Sequence, residues 1–132
     1  MIHHVPQKVL FKHCDPAGIV FYPRYVEMIN DAVEDWFTGP LQTPWHIFHH
    51  TNGCPTVEIN VKFIAVTRHG DELDLQVQVT KLGNTSVSLA VDAYCGDELR
   101  FAARLTMVCV DLDKKPQPWE AELRARIKRF LN

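Results

Sequence analysis

The hydrophobic period changes once along this chain, at Thr56, and that change restricts the possible folds more than any other feature. Downstream of it, apolar and polar residues alternate through four successive runs. Val57, Ile59, Val61 and Phe63 alternate with Glu58, Asn60 and Lys62. Leu73, Leu75, Val77 and Val79 alternate with Asp74, Gln76, Gln78 and Thr80. Val87, Leu89, Val91 and Ala93 form the third run, and Leu99, Phe101, Ala103, Leu105 and Met107 the fourth. A period of two sends successive side chains to opposite faces of a pleated strand, so each run predicts a strand with one buried face. The breaks at Arg68–Asp71, Leu82–Asn84 and Cys95–Asp97 are short and contain Gly, which predicts antiparallel hairpins.

Upstream of Thr56 the period is helical. Tyr22, Val26, Ile29, Val33 and Trp36 or Phe37 form one apolar stripe, and Glu27, Asn30, Asp31, Glu34 and Asp35 fill the opposite side. Pro23 suits a first helical position, where a missing N–H costs nothing, and Gly39-Pro40 ends the segment. Residues 5–12 read as a first strand, and residues 41–52 as containing a short second helix. A last helix is expected from Pro118, with Trp119, Leu123, Ile127 and Phe130 or Leu131 on its apolar side. Its acidic residues come first and its basic residues last, as the helix dipole favours. One long apolar-faced helix and one sheet with a single apolar face must bury each other, so an α+β domain is expected over residues 1–132: a curved five-stranded antiparallel sheet wrapped around a long central helix. Periodicity alone leaves this as one α+β arrangement among several.

Composition narrows the function classes. The chain has 132 residues, 46% apolar and 23% charged, with a net charge of -2. That size is one domain with room for a core, and that balance offers nucleic acid no basic footprint. No apolar run is long enough to cross a bilayer. The opening Met-Ile-His-His-Val-Pro lacks a basic segment followed by an apolar one, so a cytoplasmic protein without a membrane partner is expected. The four cysteines, Cys14, Cys54, Cys95 and Cys109, match no Cys-x-x-Cys zinc spacing, and a reducing compartment would keep them as thiols. Cys95 and Cys109 fall in strand-like runs and read as small core residues.

The densest cluster of chemistry is His13-Cys14-Asp15-Pro16-Ala17-Gly18-Ile19-Val20-Phe21-Tyr22-Pro23-Arg24-Tyr25. Asp first, Pro second and Gly fourth is a type I turn pattern. The segment, set between first strand and central helix, resembles the signature of the 4-hydroxybenzoyl-CoA thioesterase family. The likeness extends to Val57–Phe63, to Gly70-Asp71-Glu72-Leu73 and to Val108-Cys109-Val110-Asp111, and so covers essentially the whole chain. It implies the hotdog fold, hydrolysis of an acyl-CoA without cofactor or metal, and a homo-oligomer, dimer or tetramer, with sites between subunits. It also implies Asp15 as nucleophile or general base and the backbone N–H of Tyr22 as oxyanion donor.

Elementary chemistry agrees with that assignment. A thioester carbonyl under attack becomes an oxyanion, and N–H groups at a helix N-terminus stabilise such a charge without reorganising. Asp15 would attack directly, giving a mixed anhydride, or activate a water. Gly18 would let the backbone pass close to a ligand.

Each assignment has a blander counterpart. An isolated Asp-Pro-x-Gly would read as a self-capping turn, and the surrounding match reverses that reading. His13 tunes Asp15 or holds substrate, or is a satisfied neighbour. Tyr25 and Tyr22 line an acyl pocket or only pack. Asp31 faces a neighbouring subunit's pocket or solvent, and Ser86 matches a polar pocket position. Cys14 lacks a His-Asn partner pattern and reads as a structural thiol. His46, His49 and His50 have helical metal-ligand spacing but no Cys or carboxylate beside them. Arg124, Arg126, Lys128 and Arg129 meet CoA phosphates or form a solvated helix end. The resembled family carries arginines between its third and fourth strands. Here that stretch is Gly83-Asn84-Thr85-Ser86, so phosphate recognition must differ. Two other readings stand beside hydrolysis: an acyl-CoA hydratase or dehydratase, which would want a carboxylate–His pair, and a non-catalytic acyl-thioester binding protein, which would not keep Asp15.

Overall fold

All four alternating runs are strands in the computed structural model of the chain, which describes residues 1–132. The strands are β1 (His3–Lys8), β2 (Thr56–Phe63), β3 (Glu72–Leu82), β4 (Ser86–Cys95) and β5 (Glu98–Val108). The helices are α1 (Tyr22–Thr38), α2 (Trp45–Phe48) and α3 (Ala121–Lys128). One antiparallel sheet contains all five strands in the order β1-β3-β4-β5-β2. The inward residues of β3, β4 and β5 are buried against α1, whose Trp36 and Phe37 are fully enclosed. No helix is long and apolar enough to cross a membrane.

Several expectations need correction. The expected hairpin at Arg68–Asp71 does not form, because β2 pairs with β5 at the far side of the sheet. Alternation reports which side chains share a face and not which strand pairs with which, and in β2 the apolar face expected to be buried is largely exposed. The edge of β3 that β2 would have taken is filled by β1, from His3 opposite Val77 to Lys8 opposite Glu72. Residues 64–71 therefore run as a connection across one end of the sheet.

The first strand also starts earlier and ends earlier than expected. Val9 closes its ladder through N–H to Asp71 O (2.8 Å). The next donor, Leu10 N–H, goes to Nδ1 of His13 (2.8 Å), which bends the chain into a 3-10 turn over Phe11–His13.

In α1 the buried face is Tyr25, Met28, Ile29, Ala32, Val33, Trp36 and Phe37. Tyr22 and Val26 are exposed at 62% and 41%, so the apolar stripe is wider than the sheet that covers it. The last helix begins at Ala121 and not at Pro118, because Glu120 is its cap, accepting N–H bonds from Glu122 and Leu123 (3.2 Å each). Trp119, Leu123, Ile127 and Phe130 are buried as expected, while Leu131 is exposed.

The two edges of the sheet differ. β1 carries Pro6, which cannot donate to a further strand. β2 carries no proline, and its Val57, Ile59 and Phe63 are exposed at 61%, 43% and 52%.

Candidate active site

Asp15 sits at the mouth of a small closed loop. Cys14 and Val20 form an antiparallel bridge, and inside it Asp15 N–H donates to Ile19 O (3.0 Å) while Gly18 N–H donates to Asp15 O (2.9 Å). The carboxylate Oδ1 accepts Ala17 N–H at 2.9 Å, and Oδ2 has no protein partner. Asp15 thus caps its own turn and still presents a free carboxylate oxygen from a half-buried position. Gly18 has φ +80°, and a Cβ there would meet nothing within 4 Å, so the backbone angle and not crowding requires glycine.

The loop is anchored at both ends. Phe21 N–H donates to His13 O (2.9 Å), and Val20 N–H donates to Thr67 O (2.9 Å), with Thr67 fully buried. Arg100 fastens the 64–71 connection from β5. Its Nη1 donates to Val66 O (3.0 Å), Thr67 Oγ1 (3.3 Å) and Asp71 Oδ2 (2.7 Å). An N–H bond from Arg68, then the Arg100 guanidinium, hold the Asp71 carboxyl below the usual range. Sequence reading missed Arg100, whose only signal is a charge within a half-buried strand beside Gly70–Leu73.

The helix behind the loop starts bare. Phe21 is its N-cap without a capping side chain, no acidic residue lies in the first turn, and Pro23 has no N–H. The Tyr22 N–H precedes every carbonyl of its own helix that it could reach, and no turn or loop bond uses it. An uncapped helix start leaves its dipole uncompensated. A free carboxylate oxygen and a free helical N–H therefore flank one short loop.

The other anticipated residues divide. Tyr25 and Tyr22 line an apolar groove with Ile19, Phe63 and Val66. Tyr25 packs on Phe63 (5.4 Å between centroids) and Phe101 (5.2 Å), so it both packs and lines. His13 is buried, with its ring beside a polar recess bordered by Lys12, Arg24, Glu27 and Asp31. Burial, then the Lys12 charge, lower its pKa, while Glu27 and Asp31 oppose. Because Nδ1 accepts from Leu10, the ring is neutral with its proton on Nε2.

Asp31 is exposed on this polar flank and not in the apolar groove. Ser86 is not brought to Asp15 within one chain. It begins β4, whereas the Asp15 loop lies by the 64–71 connection at the other end, about 30 Å away along the strand. A second apolar groove, between α1 and β2, has Asn30 and Thr56 as its polar members, and sequence reading missed it. Arg124 is committed to Gly83 O (2.7 Å) and Arg126 faces Glu122 (3.8 Å), leaving Lys128 and Arg129 solvated. His49 Nδ1 bonds its own Trp45 carbonyl (2.6 Å), and His46 and His50 are exposed. No group of three His, Cys, Asp or Glu residues is placed to hold a metal ion.

The model of the thioesterase-like superfamily matches residues 9–127. The chain is 30% identical over 73 residues to a 4-hydroxybenzoyl-CoA thioesterase of Pseudomonas sp., a match spanning 53% of this chain and 52% of that protein, about half of each. It is 22% identical to a 1,4-dihydroxy-2-naphthoyl-CoA hydrolase of Synechocystis, over 89% of this chain and 91% of that one. A crystal structure of a 1,4-dihydroxy-2-naphthoyl-CoA thioesterase from Synechocystis superposes with a TM-score of 0.89 at 19% identity, covering 97% and 96% of the two chains. The sheet and its central helix are thus the hotdog fold.

Proposed function

The chain belongs to the thioesterase-like superfamily, and we propose that it hydrolyses an acyl-CoA to the free acid and CoA with Asp15 as the catalytic carboxylate. The observation that carries this reading is the pairing of a free Asp15 oxygen with a free Tyr22 N–H across one closed loop. The carboxylate delivers the attack, directly or through a water. Either route places negative charge on the thioester oxygen, where the bare start of α1 stabilises it. The acyl group lies against Tyr22, Tyr25 and Phe63, a surface suited to an aromatic or short apolar chain. The relatives' own substrates, hydroxybenzoyl- and dihydroxynaphthoyl-CoA, favour the aromatic case. The reaction draws on no metal or cofactor.

The working unit is a homo-oligomer, at least a dimer. β2 is an unblunted edge whose Val57, Ile59 and Phe63 continue into the exposed Ile64 and Val66. A two-fold pairing of β2 with its copy satisfies the edge and covers that surface. Further assembly to a tetramer, with Ser86 or Asp31 facing a neighbour's site, extends the same arrangement. The test is thiol release from a panel of aromatic, short and medium-chain acyl-CoAs. Turnover of at least one of them is expected, best for an aromatic acyl group, and no turnover of any contradicts the proposal.

A further inference from the structure

Two cysteines outside the site face each other across the end of the sheet. Beyond the β2–β5 ladder the pairing resumes in the register Thr56 opposite Met107 and Gly53 opposite Val110. Gly53 and Val110 exchange both backbone bonds (2.9 Å each), and Val108 N–H donates to Pro55 O (3.1 Å). Antiparallel pairs alternate between hydrogen-bonded and non-hydrogen-bonded, so the pair between these two, Cys54 and Cys109, is of the non-hydrogen-bonded kind. The outward bonds of Cys109 agree: its N–H goes to Thr85 O (2.7 Å) and its carbonyl takes Gln117 N–H (2.8 Å). Directly opposed residues point to the same face, and in this class their Cα atoms lie about 4.5 Å apart, inside the span a disulfide bridges. Both side chains are buried, at 8% and 2% exposure, and both belong to the core cluster.

The two thiols are not equivalent. Burial raises the pKa of both, and at Cys54 the neighbouring Cys109 raises it further. At Cys109 the amide of Asn52 donates to Sγ (3.9 Å) and works against burial.

We propose that Cys54 and Cys109 form a latent cross-strand disulfide site, in which Cys109 reacts first with a peroxide-class oxidant and Cys54 resolves it. The Cys109 thiolate attacks one peroxide oxygen. An S–O bond forms, the O–O bond breaks, and the departing hydroxide takes the proton Cys109 had released, leaving as water. The Cys54 sulfur then attacks the Cys109 sulfur. The S–S bond forms, the S–O bond breaks, and the second hydroxide leaves with the Cys54 proton as water. Two thiols lose two electrons and the peroxide becomes two waters. The product fastens the segment leading into β2, an edge strand, to the segment leaving β5.

Oxidative refolding tests the geometry without depending on access to a buried pair. The reduced wild-type chain, with its four cysteines, is unfolded, refolded in a glutathione redox buffer, alkylated and mapped by peptide mass spectrometry. The expected product is the Cys54–Cys109 crosslink as the dominant disulfide, with Cys14 and Cys95 alkylated and a melting temperature that falls on reduction. Four alkylated cysteines, or a different dominant pair, overturn the site. The order of reaction is read from native protein with hydrogen peroxide. Cys54→Ser should accumulate a sulfenic or sulfinic acid at Cys109, whereas Cys109→Ser should leave Cys54 as a thiol. An oxyacid at Cys54 in the second variant reverses the assignment of roles.

Discussion

Val20 donates its backbone N–H to the carbonyl of Thr67 at 2.9 Å, and through this bond the Asp15 loop leans on the connection that carries the chain from β2 to β3. Thr67 is in turn held by Arg100, which also pairs with Asp71. The Asp15 loop is therefore positioned by residues distant from it in sequence.

Arg100→Met should expose this dependence. It removes three hydrogen bonds and leaves the partly buried Asp71 carboxylate without its cation. We expect a loss of about 2 kcal/mol in chemical denaturation, and a fall in kcat greater than any change in KM under conditions where the variant is folded. Unchanged kcat would separate the connection from the loop.

Gly18→Ala should cost about 1 kcal/mol, since only glycine takes φ +80° freely and the added methyl meets no neighbour. Its kinetic cost should be larger than its cost in stability, because the strain lies within the loop that sets Asp15. Denaturation midpoints and kcat/KM measured on one preparation compare the two.

His13 predicts a pH dependence of stability. Its pKa is lowered in the folded chain, chiefly by burial and then by Lys12, whereas the unfolded value is about 6.5. The unfolded state thus binds the proton more readily. The contribution of His13 is fully present above about pH 6.5 and is lost as pH falls through the lower folded pKa. Protonation also puts a hydrogen on Nδ1, which then cannot accept Leu10 N–H. His13→Asn keeps an acceptor but does not titrate, so its stability should be flatter between pH 7 and pH 5. Parallel curves for the two proteins would remove His13 as the cause.

Val57→Glu should convert the oligomer to monomer with little change in the fold of the chain. Val57 is 61% exposed on the free edge strand, where a charge costs nothing in a monomer and is buried in a two-fold pair. Light scattering at micromolar concentration reads the mass. A monomeric wild type with full turnover contradicts the shared-site arrangement, and an active dimer removes only the tetramer.

Much of this was legible in the residues themselves. Alternation at Val57–Phe63, Leu73–Val79, Val87–Ala93 and Leu99–Met107 places every long strand, because period two is a local property. The partner of β2 was not legible, since the same alternation fits an edge beside β3 or beside β5. The end of β1 was hidden because bonds outside its own residues set it: Val9 ends the ladder on Gly70 and Asp71, and the His13 side chain takes Leu10 N–H and turns the chain away. At the site, the turn chemistry of Asp15 and Gly18 and the bare helix start at Tyr22 follow from local sequence. Arg100 and Thr67 do not, because their roles arise from contacts between segments more than thirty residues apart. Ser86 was placed by resemblance, and one chain's topology sets it at the opposite end of the sheet.

The most direct measurement is the turnover of Asp15→Asn on the best acyl-CoA of the panel. Asparagine keeps the oxygen that accepts Ala17 N–H and so keeps the turn, but it is neither a base nor an anionic nucleophile. The account predicts an unchanged fold by circular dichroism and a fall in kcat of at least about 100-fold. A folded variant that turns over at the wild-type rate would contradict it.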